Sequence, residues 1–128
     1  MEIHAHYVAV IEKYILSYNR FDVDGMCRHL HEGIVFENIS GGKVKMSIRG
    51  IENFKKQAEA AVTYFSERDQ KIESMGFHDA IVTVEIAYTG IPAIDFPNGV
   101  KKGEVMKLKG VSEFTFENGE IISIRDLS

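Results

Sequence analysis

The sequence predicts an α+β fold, with helices segregated from a run of hairpin-linked strands and packed on one face of a bent sheet. Three observations carry this expectation. Apolar residues recur at helical spacing twice near the N-terminus and again after Gly50. Several later segments alternate with a period of two. Asn118-Gly119 also stands between two such segments, a strong hairpin signal because both central residues need positive φ. The 128 residues read as one domain, 1–128, without repeat or linker.

The elements follow in order. From Glu2 to Asn19, the residues Tyr7, Ile11, Tyr14 and Tyr18 recur with Val8 and Ile15 beside them. That spacing predicts a helix of about five turns. Asp22 is placed to cap a shorter second helix with the stripe Val23, Met26, Cys27 and Leu30, and Gly33 suits its stop. Strands are predicted at Ile34–Ile39 and Lys43–Arg49, the latter with Val44, Met46 and Ile48 on one face. A third helix starts after Gly50, where Ile51, Phe54, Ala58, Ala61, Val62 and Phe65 step by three and four. Arg68–Met75 is a weaker, polar strand that ends at Gly76 and a turn over Phe77-His78-Asp79. Ala80–Tyr88, Val105–Phe116 and Ile121–Leu127 complete the sheet. In the first of these, Val82, Val84, Ile86 and Tyr88 fill one face while Ile81 and Ala87 lie on the other. A sheet apolar on both faces calls for cover on both. With helices on one face, a second copy of the chain is the simplest cover for the outer face, so a homodimer is expected.

Composition excludes several classes. Fifteen basic against nineteen acidic residues give a net charge of −4. That speaks against nucleic-acid binding by counterion release and against a polybasic membrane surface. One cysteine makes neither an internal disulfide nor a thiolate metal cage. His4 and His6 are two apart on a helix and diverge by about 200°. His29 and His31 would do the same, so no metal site is expected. No segment reads as a signal peptide or membrane span, and the expected setting is a reduced cytoplasm. Ser40-Gly41-Gly42-Lys43 lacks the spacing of a phosphate loop.

Two N-terminal helices, a strand bearing Phe36-Glu37-Asn38, the helix start Arg49-Gly50-Ile51-x-x-Phe54 and the C-terminal Asn118-Gly119 hairpin form a recognisable order. This order resembles the SnoaL-like branch of the nuclear-transport-factor-two-like superfamily, over roughly Ala5 to Ser128. The resemblance implies a cone, a curved mixed or antiparallel sheet around a pocket, with three helices on its concave side. It also implies dimerisation through the outer sheet face. The superfamily includes ketosteroid isomerase, scytalone dehydratase, limonene epoxide hydrolase and polyketide cyclases, and also transport and assembly domains without catalysis. Fold alone therefore selects no chemistry.

Carboxylates are the candidate reagents. Ile122, Ile124 and Asp126 share one face of the last strand, so Asp126 ends an apolar stripe where desolvation would raise its pKa. Ile124-Arg125-Asp126 also resembles the end of epoxide hydrolases and SnoaL-like cyclases, where the acid faces the pocket; a solvated carboxylate near the C-terminus is the plainer alternative. Phe36-Glu37-Asn38 is similar to the hydrolase Tyr-x-Asn that positions a water, with Phe36 lacking the hydroxyl. If Phe36 and Asn38 point inward, Glu37 points outward; the opposite register would make Glu37 the candidate base. Glu85, on the less apolar face with Thr83 and Ala87, either pairs with Asp126 in the pocket or with Lys107 or Lys109 outside it. The hydrolase set has an Arg-x-Asp in this region. Glu85-Ile86-Ala87 does not keep it, which implies that the epoxide-opening arrangement is absent. The face of Glu113 is left open. Tyr14, Tyr18, Phe36, Phe54 and Ile124 are the candidate lining, and Cys27 reads as core.

The sequence thus supports a pocket for a small, largely apolar molecule. Its expected chemistry is cofactor-free proton transfer (isomerisation, dehydration or cyclisation) by Asp126, with Asn38 and Glu85 assisting. A noncatalytic ligand-binding or dimerisation domain is the rival.

Overall fold

The computed structural model describes residues 2–128. Three helices, α1 (Glu2–Asn19), α2 (Val23–Cys27) and α3 (Ile51–Val62), accompany six strands. These are β1 (Leu30–Ser40), β2 (Lys43–Arg49), β3 (Phe65–His78), β4 (Ile81–Pro92), β5 (Met106–Glu117) and β6 (Glu120–Leu127). They form one sheet in the order β2-β1-β6-β5-β4-β3. Every pairing is antiparallel except β1 with β6, so the sheet is mixed. Among the described residues, no helix is long and apolar enough to cross a membrane.

Local chemistry explains most boundaries. Asp22 caps α2, its Oδ1 accepting from the Gly25 amide at 3.0 Å. Asn118 and Gly119 both adopt positive φ, 50° and 81°, closing the β5–β6 hairpin as their identities require. Three boundaries differ from the sequence reading. α2 stops at Cys27, and Leu30 opens β1 opposite Ile121, so Gly33 lies inside a strand rather than ending a helix. α3 ends at Val62, and Phe65 pairs with Pro92. β3 runs on through His78, with Asp79 at φ 53° starting the turn. In each case strand pairing overrides a local helical or turn preference.

The helices cover the concave face. Val82, Val84 and Ile86 on β4 are buried, while Ile81 before them and Glu85 between them are exposed. Tyr7 stacks on Phe116 at 4.0 Å between ring centroids. Tyr14 meets Phe114 edge-on at 5.8 Å, and Phe54 meets Phe36 at 5.9 Å. The aromatic residues thus join helices to sheet around a space that they do not completely fill. The convex face carries ion pairs among apolar residues such as Ile81, Val111 and Leu127. There Arg125 reaches both Glu37 (3.4 Å) and Glu113 (3.3 Å), and Lys109 reaches Glu73 (3.5 Å).

Candidate active site

A cavity of about 200 Å³ lies between the helices and the concave face. Tyr14 and Tyr18 reach it from α1, Phe54 and Gln57 from α3, and Phe36 and Asn38 from β1. Arg68 and Gln70 line it from β3, Ser112 and Phe114 from β5, and Asp126 from β6.

Strand register builds its polar floor. Asp126 pairs with Asn38 on one side and Ser112 on the other, so three neighbouring strands bring their inward polar side chains to one level. Ser112 Oγ donates to Asp126 Oδ1 at 2.6 Å. Burial raises the Asp126 pKa to about 6, against the opposing pull of the Ser112 hydrogen bond. Part of the Asp126 surface nonetheless stays accessible. Asn38 is exposed, at the rim of the same cavity.

Two tyrosines face this carboxyl. Burial, and then the nearby Asp126 charge, hold the Tyr14 pKa well above its ordinary value. Burial also raises Tyr18, whose hydroxyl donates to the Tyr88 hydroxyl at 3.2 Å. Both phenols therefore stay protonated as donors. Among the described residues, the Tyr14 hydroxyl has no hydrogen-bond partner.

The structure thus brings Asp126, Asn38, Tyr14, Tyr18, Phe36 and Phe54 to one cavity. Two expected members lie elsewhere. Glu85 sits on the convex face, because the period of two that turns Val84 and Ile86 inward turns Glu85 outward. There it borders a shallow recess with Glu73 and Lys109, and no pair with Asp126 forms. Ile124 is 1% exposed and packs in the core, paired to Phe36 and Phe114, rather than lining the cavity. Its inward neighbour along β6 is Ile121 rather than Ile122, since a register shift at Thr115/Phe116 interrupts the alternation. Glu37 and Glu113 both point to the convex face, where Arg125 pairs with them.

Sequence reasoning missed Ser112, Gln57 and Gln70 and, most consequentially, the charged residue Arg68. An arginine does reach the cavity, from β3 instead of β4, followed two residues on by the carboxamide of Gln70. Arg68 is buried at 5% exposure, its Nε donating to the Tyr18 carbonyl at 2.8 Å. Its neighbours Asp69, Gln70 and Lys71 are as polar as it is, so nothing in the sequence marks it as inward. The histidines hold structure instead. His6 Nε2 bonds the Gly119 carbonyl at 2.9 Å, His4 stacks on Phe77, and His31 Nδ1 accepts from Gly33. Among the described residues, no group of three or more His, Cys, Asp or Glu is arranged to hold a metal ion. Cys27 packs against the core, and burial raises its pKa.

The profile of the SnoaL-like domain matches residues 11–124. Comparison with curated proteins gives no match. Among solved structures, the chain is similar to a proposed polyketide cyclase from Xanthomonas campestris pv. campestris. The two share 17% identity and a TM-score of 0.82, over 98% of this chain and 92% of that one. An LEH-like epoxide hydrolase from M. tuberculosis is similar at 19% identity and TM-score 0.76, covering 96% and 82% of the two chains. AclR, a proposed hydroxylase from Streptomyces galilaeus, is similar at 20% and 0.75, covering 95% and 87%. At these identities the likeness is one of fold.

Proposed function

The chain belongs to the SnoaL-like domain family, and on that premise we propose that it is a proton-transfer enzyme acting on a small, largely apolar carbonyl compound. The observation that carries this reading is the Asp126 carboxyl, lodged in an aromatic-lined cavity with a pKa raised to about 6. A base so tuned is mostly ionised at neutral pH yet holds a proton well enough to return it.

The atoms balance without a cofactor. Ionised Asp126 removes a proton from carbon next to the carbonyl, and the electron pair moves to the carbonyl oxygen. The Tyr14 hydroxyl supplies a hydrogen bond to that oxygen. Protonated Asp126 then gives the proton back, either to another carbon, which isomerises the substrate, or to a leaving hydroxyl, which dehydrates it. Asn38 at the rim orients the substrate. Polyketide cyclases among the structural neighbours are consistent with chemistry of this class.

The test is α-proton exchange in D2O, followed by NMR over a panel of small cyclic and aryl ketones. The parent should exchange one or more of them, at a rate rising as pH rises through about 6 and level above it. Asp126→Asn should lose about 10²-fold or more of that rate. Equal exchange by both proteins, or none by either, sinks the proton-transfer reading.

A further inference from the structure

Arg68 and Asp126 are opposite charges on one cavity, yet neither partners the other. Arg68 forms no ion pair among the described residues, although its guanidinium is permanently charged. Its Nε is held by the Tyr18 carbonyl in the last turn of α1. Its guanidinium lies 3.8 Å from the Tyr18 ring centroid and 4.6 Å from that of Phe21. Phe21 reaches this position in a left-handed backbone conformation, φ 60°, that bulky residues rarely adopt. The clamp fixes the guanidinium but leaves a donor unused. Nη2 is buried and has no acceptor among the described residues.

A buried donor on a permanent cation is costly to leave unmatched, and a helix end alone explains only the Nε bond. We propose that Arg68 is the anion-receiving end of the cavity. Its ligands are then small molecules with an apolar body and one acidic oxygen group, a carboxylate or an enolic oxyanion, that accepts from the Arg68 guanidinium. Resting on the proton-transfer reading, this assignment orients the substrate with its acidic group at β3 and its reacting carbon toward Asp126 on β6. The net charge of −4 repels such anions at long range, so the selectivity comes from the short-range contact.

The test uses a matched pair of probes, phenylacetate and phenylacetamide, which share a body and differ in charge. Calorimetric titration of the parent should show the acid binding about tenfold or more tightly than the amide. Arg68→Gln should erase that preference, whereas Asp126→Asn should keep it. Equal binding of the two probes by the parent, no binding of the acid, or a preference that survives in Arg68→Gln would overturn the assignment. So would loss of the preference in Asp126→Asn, which would give selection to the carboxyl. Should Arg68→Gln fail to fold, Ala61→Phe fills the cavity from α3 and must abolish acid binding; unchanged affinity places the acid elsewhere and rejects the idea. Failure of the proton-transfer reading is distinguishable, because it appears as absent exchange while the acid preference persists.

Discussion

Asp126 illustrates what burying one ionisable side chain costs the fold. Its carboxyl ionises at about 6 in the fold and near 3.8 when unfolded. Between these values the folded chain binds more protons, so stability falls as pH rises through that window, and the penalty is complete above about 6. The gap corresponds to a penalty of up to about 3 kcal/mol. Asp126→Asn removes the charge and keeps an acceptor for Ser112. We expect it to stabilise the chain by about 1–3 kcal/mol at pH 8 and by little at pH 4, measured by urea denaturation at both values. A variant no more stable at pH 8 than the parent would show that the carboxyl is well solvated. Asp126 was legible in the sequence because a carboxylate ended an apolar stripe. Arg68 was not, because Arg68-Asp69-Gln70-Lys71 carries no apolar alternation to mark its inward positions. Packing against the end of α1 and Phe21 buries it.

At the scale of elements, β3 shows what local sequence leaves out. It is an edge strand, with a free row of backbone donors and acceptors that needs management. Asn19 at the end of α1 supplies it. Its Oδ1 accepts from the Gln70 amide at 2.7 Å, and its Nδ2 donates to the Gln70 carbonyl at 3.1 Å. This pair of hydrogen bonds ties the helix end to the strand beside Arg68 and Tyr18. Behind it, Gly90 pairs with Arg68, and a Cβ there would lie 3.0–3.1 Å from the Tyr88 and Phe65 rings. Asn19→Ala leaves both backbone groups of Gln70 without that partner, and should cost about 1–3 kcal/mol. Amide exchange at Gln70 should quicken along with the loss, and an unchanged urea midpoint with unchanged exchange would contradict the role. The helices and the Asn118-Gly119 hairpin were readable from spacing and turn chemistry. The end of α2 at Cys27 and the full length of β3 were not, since each is decided by pairing with a strand distant in sequence.

On the whole molecule, the sheet divides two surfaces of different character. The concave side holds the cavity, while the convex side carries ion pairs and a shallow recess lined by Val111, Leu127, Glu85 and Lys109. The sequence pattern implied an apolar outer face, but Thr83, Glu85, Glu113 and Arg125 interrupt it. We propose that a second copy docks there in two-fold symmetry. Acidic Glu73 and Glu85 beside basic Lys109 make the face complementary to itself when rotated. Light scattering on the eluting protein should then give about twice the 14.4 kDa of one chain. Val111→Asp puts a charge at the centre of the recess and should return a single-chain mass. Because Val111 faces away from the cavity, the same variant should keep the Asp126-dependent exchange. A parent that elutes as one chain at tens of micromolar rejects the pair outright. A dimer that survives Val111→Asp would move the interface off this face.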